Sequence, residues 1–249
     1  MSKNIIQINR KDFNKWTTKK LKETYCTGTR GIILNAMGTD LFPIKKAKKI
    51  GYNVKSLPDY CSNEVARHAF TLENNLIKTT HTINTWQKKH LIIGSKGNIG
   101  SKVLERLLYY EIPCIEHDPK AGHTKKDLNE KLKTAEIILT CIPLTKETKE
   151  IYDKKFFDEC KAKPLIINVS GRNQLFKLTD LATALDNKTI SGYASDEYTK
   201  YKHLLNNENV YLTDHVGWYS PNAVQKRNFL LKEIMKNMQI ELNKTKNNK

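Results

Sequence analysis

Short apolar, β-branched runs recur along the chain: NIIQI, GIILN, YNVKSL, HLIIG, IPCIEH, AEIILTC, PLIINVS, TISGYAS and NVYLTD, with helix-like stretches between most of them. Runs of this length between turn residues read as strands. Strands that alternate with helices pair in parallel through right-handed crossovers, so the pattern predicts a doubly wound α/β fold. EIILTC and PLIINV are apolar almost without interruption, as expected of strands covered on both faces.

Two longer helices complete the pattern. One is expected from Cys61 to about Trp86, opened by a Ser or Asn cap and carrying Val65, Ala66, Phe70, Leu72 and Leu76 at mixed helical spacing. It would join two lobes. The other is expected from about Pro221 to Asn243, with proline in its first turn and Val224, Phe229, Leu230, Ile234, Met238 and Ile240 along it, packing back on the first lobe. The tail NKTKNNK is expected to fray.

A length of 249 residues holds one large domain or two small ones. With 39% hydrophobic and 28% charged residues the chain is of ordinary globular composition. The formal net charge of +17 raises the question of a nucleic-acid partner. Only six of the 43 basic residues are arginine, however, and the lysines are scattered instead of gathered on one element with aromatic platforms. The charge is read as a solvated lysine-rich surface, and no nucleic acid is expected. Five cysteines without CxxC spacing indicate neither disulfides nor a metal site. No apolar leader and no run of about 18 apolar residues occurs, so a cytoplasmic protein without membrane partners is expected.

The stretch HLIIGSKGNIGSK places Gly94, Gly97 and Gly100 between a strand and a helix. In a dinucleotide-binding βαβ unit one glycine allows the turn, one lets the backbone approach the pyrophosphate, and one lets helix and strand pack closely. Gly97 and Gly100 have the spacing of the second and third; Ser95 stands where the first would be, with Gly94 one residue earlier. The pattern alone is weak, and a structural turn would share it. Its context adds weight, because the loop opens a helix whose N-terminal amides would face a phosphate. The next strand ends at Asp118, eighteen residues past Gly100, where a carboxylate would accept from ribose hydroxyls and disfavour a 2′-phosphate. NAD is therefore favoured over NADP, with Lys120 nearby. The other reading of Asp118 is a turn residue before Pro119.

Five stretches together resemble the NAD-dependent D-isomer-specific 2-hydroxyacid dehydrogenases, in the order that this family has them. They are NAMGTDLFPIKKAKKIGYNVKSLPDYCSNEVARHAF, GSKGNIGSKV, AEIILTCIPLTKETKEIYD, PLIINVSGRNQLFKLTDLATALDNKTISGYASDEY and YLTDHVGWYSPNA. The resemblance implies a Rossmann-type doubly wound parallel sheet plus a smaller, truncated flavodoxin-like α/β lobe. The substrate lobe would span 1–66, completed by the helix 222–249, and the dinucleotide-binding domain 67–221. Cofactor contacts would come from Gly94, Ser95, Gly97, Asn98, Ile99 and Gly100; from Asp118 and Pro119; and from Cys141, Ile142, Pro143 and Thr148. Val169, Ser170, Gly171, Asp196, His215 and Gly217 would complete them, Asp196 matching the position that holds the nicotinamide carboxamide.

Reduction of a 2-oxo acid needs a hydride, a proton for the carbonyl oxygen and a cation for the carboxylate. His215 is the candidate acid/base, because imidazole titrates near neutral pH and the residue follows the strand NVYLTD. Arg172 is the candidate carboxylate ligand, since a guanidinium grips a carboxylate with two bonds. The resemblance adds the backbone amides of Met37 and Gly38, a small 2-oxo or 2-hydroxy acid as substrate, and a homodimer as a possible assembly.

The chain departs from the family pattern in four places. Glycine (Gly171) occupies the arginine column, with Arg172 one residue later; Tyr201 stands where the histidine's glutamate partner is expected, leaving Glu197 and Asp214 as neighbours in sequence; and Arg67 replaces an acid. The first lobe has room for about three strands, and the segment between Val65 and the glycine loop, part of the family's dimer interface, is abbreviated. Tyr193, Tyr198, Tyr201 and Trp218 would make the pocket aromatic, or would pack at a domain interface. Two functions follow: an oxidoreductase using His215, or a catalytically silent NAD-binding sensor or scaffold.

Overall fold

All nine apolar runs form strands in the computed structural model, which describes residues 4–80, 85–197, 204 and 206–247. They are β1 (Ile5–Asn9), β2 (Gly31–Asn35), β3 (Asn53–Ser56), β4 (His90–Ile93), β5 (Cys114–His117), β6 (Ile137–Thr140), β7 (Leu165–Asn168), β8 (Gly192–Ser195) and β9 (Val210–Leu212). Between them lie α1 (Thr18–Cys26), α2 (Ile44–Ile50), α3 (Ser62–Thr80), α4 (Asn98–Tyr109), α5 (Lys125–Leu132), α6 (Lys154–Asp158) and α7 (Leu178–Asp186), with α8 (Pro221–Asn247) last.

The chain divides into two units, one of Met1–Tyr60 with Ser220–Lys249 and one of Cys61–Tyr219. In the smaller unit β1, β2 and β3 pair in parallel in that order. Its core gathers Ile8, Phe13, Leu21, Ile32, Leu34, Phe42 and Tyr52, and the Tyr52 hydroxyl donates to Leu21 O at 2.9 Å. The last helix belongs to this unit and lies on β2: a Cβ at Gly31 would fall 2.4 Å from Met238 Sδ, so a larger residue there would have to push the buried methionine aside. Glu241 on the same helix accepts from Asn53 Nδ2 at 2.6 Å. The helix runs four residues past the expected end at Asn243 and takes in part of the tail expected to fray.

The larger unit holds a six-stranded, all-parallel sheet in the order β5-β4-β6-β7-β8-β9. Every residue of β4, β6, β7 and β8 is buried, while the edge strands β5 and β9 are mostly half-buried. This is the burial that helices on both faces of a parallel sheet impose. The helix expected over Cys61–Trp86 ends at Thr80, with a separate 3-10 turn at Thr85–Gln87 and residues 81–84 outside the described set. All of α3 lies in the larger unit. It comes close to β8 because Gly192 has no side chain: a Cβ there would meet Thr80 Cγ2 at 3.0 Å and Leu76 Cδ1 at 3.1 Å.

Candidate active site

The last paired residues of the large sheet form one row across it: His117, Ile93, Thr140, Asn168, Ser195 and Leu212. One residue further on, Asp118, Gly94, Cys141, Val169, Asp196 and Thr213 therefore leave the sheet at the same edge. The chain passes from β4 outward to β5 and then returns to β6 on the other flank of β4. Such a switch point opens a crevice at the carboxyl ends of the strands.

The glycine loop sits at that switch point. Gly94 has φ +91, a conformation suited to glycine, and Gly97 caps the first turn of α4. A Cβ at Gly100 would fall 2.1 Å from Gly94 O and 3.0 Å from Ser95 Cα, so α4 starts in direct contact with the loop. Asn98 and Ile99 are the first two residues of α4, and Ser95 is buried beneath the loop. Asp118 Oδ2 accepts from Lys96 N at 2.9 Å, and Oδ1 accepts from Lys120 N at 2.8 Å. Each oxygen keeps a second acceptor position for a ribose hydroxyl. Pro119 begins the 3-10 turn that follows. The Asp118 amide donates to His123 Nδ1 at 3.0 Å, and His123 stacks on His117 with ring centroids 5.6 Å apart.

Beyond β6, Cys141 and Ile142 pass beside the loop, with Ile142 Cγ2 only 2.9 Å from where a Gly94 Cβ would sit. Burial pushes the Cys141 thiol up to about 12, which leaves it a neutral lining group. Thr148 Oγ1 donates to Pro143 O at 2.7 Å and accepts from Thr145 N at 2.7 Å, closing the turn after Pro143.

At β7 the buried Asn168 side chain organises what comes next. Its Nδ2 donates to the Tyr193 hydroxyl at 3.1 Å and to Ser195 Oγ at 3.3 Å, and its Oδ1 accepts from Ser170 N at 3.1 Å. Val169 is buried. Gly171 has φ +61, and a Cβ on it would lie 2.1 Å from His215 Cε1 and 2.6 Å from Nδ1. The imidazole thus occupies the space that a side chain in the arginine column would need. Arg172 is 5% exposed, and its Nη1 donates to Gly171 O at 2.7 Å. Glu197 Oε2 accepts from Asn173 N at 2.7 Å, so this glutamate braces the loop carrying Arg172.

His215 follows β9 in an exposed turn that one carboxylate ties down. Asp196, 2% exposed, accepts on Oδ1 from Thr213 Oγ1 at 3.0 Å and from Val216 N at 3.0 Å, and on Oδ2 from Gly217 N at 3.1 Å. Trp218 Nε1 donates to His215 O at 3.1 Å.

Tyr193 does not line a pocket. It is 1% exposed, packs on Phe176 at 5.2 Å between centroids, and burial pushes its hydroxyl up to about 12. An interior parallel strand has no open face to offer, so both sides of β8 point into core. Trp218 is half-buried against Tyr219, Asp214 is exposed, and Tyr198 and Tyr201 lie outside the described residues. Met37 and Gly38 lie in the smaller unit just past the end of β2. Sequence reasoning missed Asn168, Thr213 and His68, whose Nε2 lies 3.3 Å from Asp196 Oδ1; the only signal for His68 was its place in the VARHAF segment. Among the described residues no helix is long and apolar enough to cross a membrane, and no three His, Cys, Asp or Glu residues gather as metal ligands.

A six-stranded parallel sheet with a glycine loop at its switch point and an acidic residue after the next strand has the architecture of a dinucleotide-binding domain. The model of the D-isomer specific 2-hydroxyacid dehydrogenase NAD-binding domain matches residues 60–217, and the chain belongs to that family. NAD is its cofactor. D-lactate dehydrogenase of Staphylococcus epidermidis is 23% identical over 240 residues, covering 80% of this chain and 72% of the relative. An acyclic imino acid reductase solved with NADPH and D-Arg superposes with a TM-score of 0.78 at 22% identity, covering 96% of this chain and 83% of the other. The D-isomer specific 2-hydroxyacid dehydrogenase of Lactobacillus delbrueckii ssp. bulgaricus, solved with NAD, gives 0.74 at 20% identity, covering 96% and 84%.

Proposed function

We propose that the chain is an NAD-dependent dehydrogenase of a small 2-oxo or 2-hydroxy acid, with His215 as acid/base. The observation that carries this reading is the seating of His215: an exposed residue whose ring rests on Gly171 and whose turn is bonded to the buried Asp196. Both lie at the strand edge that presents the glycine loop. The residues fit the cofactor, because the loop has no Cβ where Gly94, Gly97 and Gly100 come together and Asp118 keeps free acceptor positions. Gly94–Gly100 would hold the pyrophosphate, Asp118 and Pro119 the adenosine ribose, and Cys141, Ile142, Pro143, Thr148, Val169, Ser170, Asp196 and Gly217 the nicotinamide half.

When bound, NADH would supply the hydride for the 2-oxo carbon. Protonated His215 would give a ring proton to the carbonyl oxygen and become neutral, so a 2-oxo acid becomes a 2-hydroxy acid. In oxidation the neutral ring takes the hydroxyl proton. Arg172 is our candidate for the substrate carboxylate, and Met37 and Gly38 amides are candidates on the resemblance alone.

The catalytically silent NAD-binding sensor or scaffold is supported by one observation: position 171 carries no guanidinium, and Arg172 bonds the carbonyl before it. NADH oxidation against small, branched and aromatic 2-oxo acids, with His215→Ala alongside, separates the two. The enzyme predicts turnover that His215→Ala lowers by about 10²- to 10⁴-fold with NADH affinity retained. Absence of turnover on every acid, with NADH bound, supports the silent module.

A further inference from the structure

We propose that His68 is a positioning residue for the turn that carries His215, acting through Thr213 and Asp196; the proposal rests on His215 being the acid/base. His68 projects from α3, and its Nε2 lies 3.2 Å from Thr213 Oγ1 and 3.3 Å from Asp196 Oδ1. The Thr213 hydroxyl has its proton engaged with Asp196 Oδ1, so toward the ring it accepts from Nε2–H, and the carboxylate lies beside that donor as an ion-pair neighbour. Thr213 Oγ1 donates to the same Oδ1 at 3.0 Å.

The ring also acts by contact. A Cβ at Gly217 would fall 2.9 Å from His68 Cδ2 and 2.7 Å from Asp196 Oδ2, so the turn backbone lies directly on the imidazole and the carboxylate. Thr213 on one side of His215, and Val216 with Gly217 on the other, are thus tied to one carboxylate. Asp196 comes from β8, the turn follows β9, and His68 pins both from α3, a helix of 19 residues that packs on β7, β8 and β9. The His68 side chain is 14% exposed and that of Asp196 3%, so little solvent competes for these bonds. A helix used as a fixed reference holds a catalytic ring more closely than a surface turn does alone, and a misplacement of about 1 Å costs on the order of 10²-fold in rate.

His68→Phe keeps a ring and removes the donor; His68→Gln keeps a donor the same number of bonds from Cα; His68→Asn is too short to reach and is the second loss variant should the phenylalanine not fold. Amide hydrogen exchange at Val216 and Gly217, NADH affinity and kcat and KM for the best 2-oxo acid are measured on the full chain. In the loss variants exchange at both amides should speed up about tenfold, as for one lost hydrogen bond. Their kcat should fall about 10²-fold, by more than any change in NADH affinity, and His68→Gln should restore both kcat and the slow exchange. Unchanged exchange in the loss variants overturns the proposal whatever the activity. Faster exchange with unaltered kcat also overturns it where His215→Ala abolishes turnover; if His215→Ala turns over like the parent, the acid/base reading fails, and the exchange rates alone decide whether His68 holds the turn.

Discussion

At the residue scale, the site depends as much on a missing side chain as on the groups present. Gly171 stands where the family pattern has arginine, and the His215 ring fills the space so left. Alanine there would carry a Cβ 2.1 Å from Cε1 on a backbone with φ +61. Gly171→Ala should therefore displace the imidazole and lower kcat by about 10²-fold. Holding alanine in the left-handed region should cost about 1–2 kcal/mol of stability; steady-state kinetics and urea unfolding of the same sample read both. An unchanged kcat would mean that the observed seat is not where the ring works. The substitution itself was visible in the sequence, but its consequence was not, because residues 171 and 215 meet only when the ends of β7 and β9 are aligned through β8.

At the scale of elements, the nine strands were legible because each is a short apolar run, and burial on both faces leaves little room for polar residues. Tyr193 shows the limit of such reading: spacing left it either as pocket lining or as packing, and its place on an interior strand put it in the core. The β5 end carries a pH dependence of its own. Burial, aided by the nearby Lys131 and His123, holds the His117 ring below the ordinary histidine range, and its Nδ1 is buried without a hydrogen-bond partner. The unfolded chain then takes up a proton that the folded chain refuses as the pH falls below about 6.5. Stability should fall with acidification through that window, by at most about 1.4 kcal/mol per pH unit from this group. Urea unfolding at a series of pH values should show the decline, and His117→Phe should flatten it. An unaltered pH profile in the variant would assign the decline to other groups.

At the scale of the whole molecule, each unit has a hydrophobic core of its own. The smaller one is assembled from both ends of the chain, since α8 returns to cover β2. Met238→Ala should cost about 2–5 kcal/mol, as for a fully buried long apolar side chain, while the folded protein keeps its NADH affinity. Denaturant unfolding with cofactor titration tests this, and a loss of NADH affinity in proportion to stability would tie the two units together energetically. The +17 charge contributes scattered lysines in local pairs such as Lys154 with Asp158 at 2.7 Å, and such exposed pairs add little to stability.

The sequence by itself determined the alternation of strands and helices, the glycine loop with its acidic residue after the next strand, and the family. These are written in local spacing, which a chain displays before it folds. The tertiary structure decided which side chains share the site. His68 and Asp196 come from separate elements, as do Gly171 and His215, and their meeting depends on strand register and on how α3 lies across the sheet. No local pattern encodes that register, because it is set by the packing of the entire sheet beneath its helices.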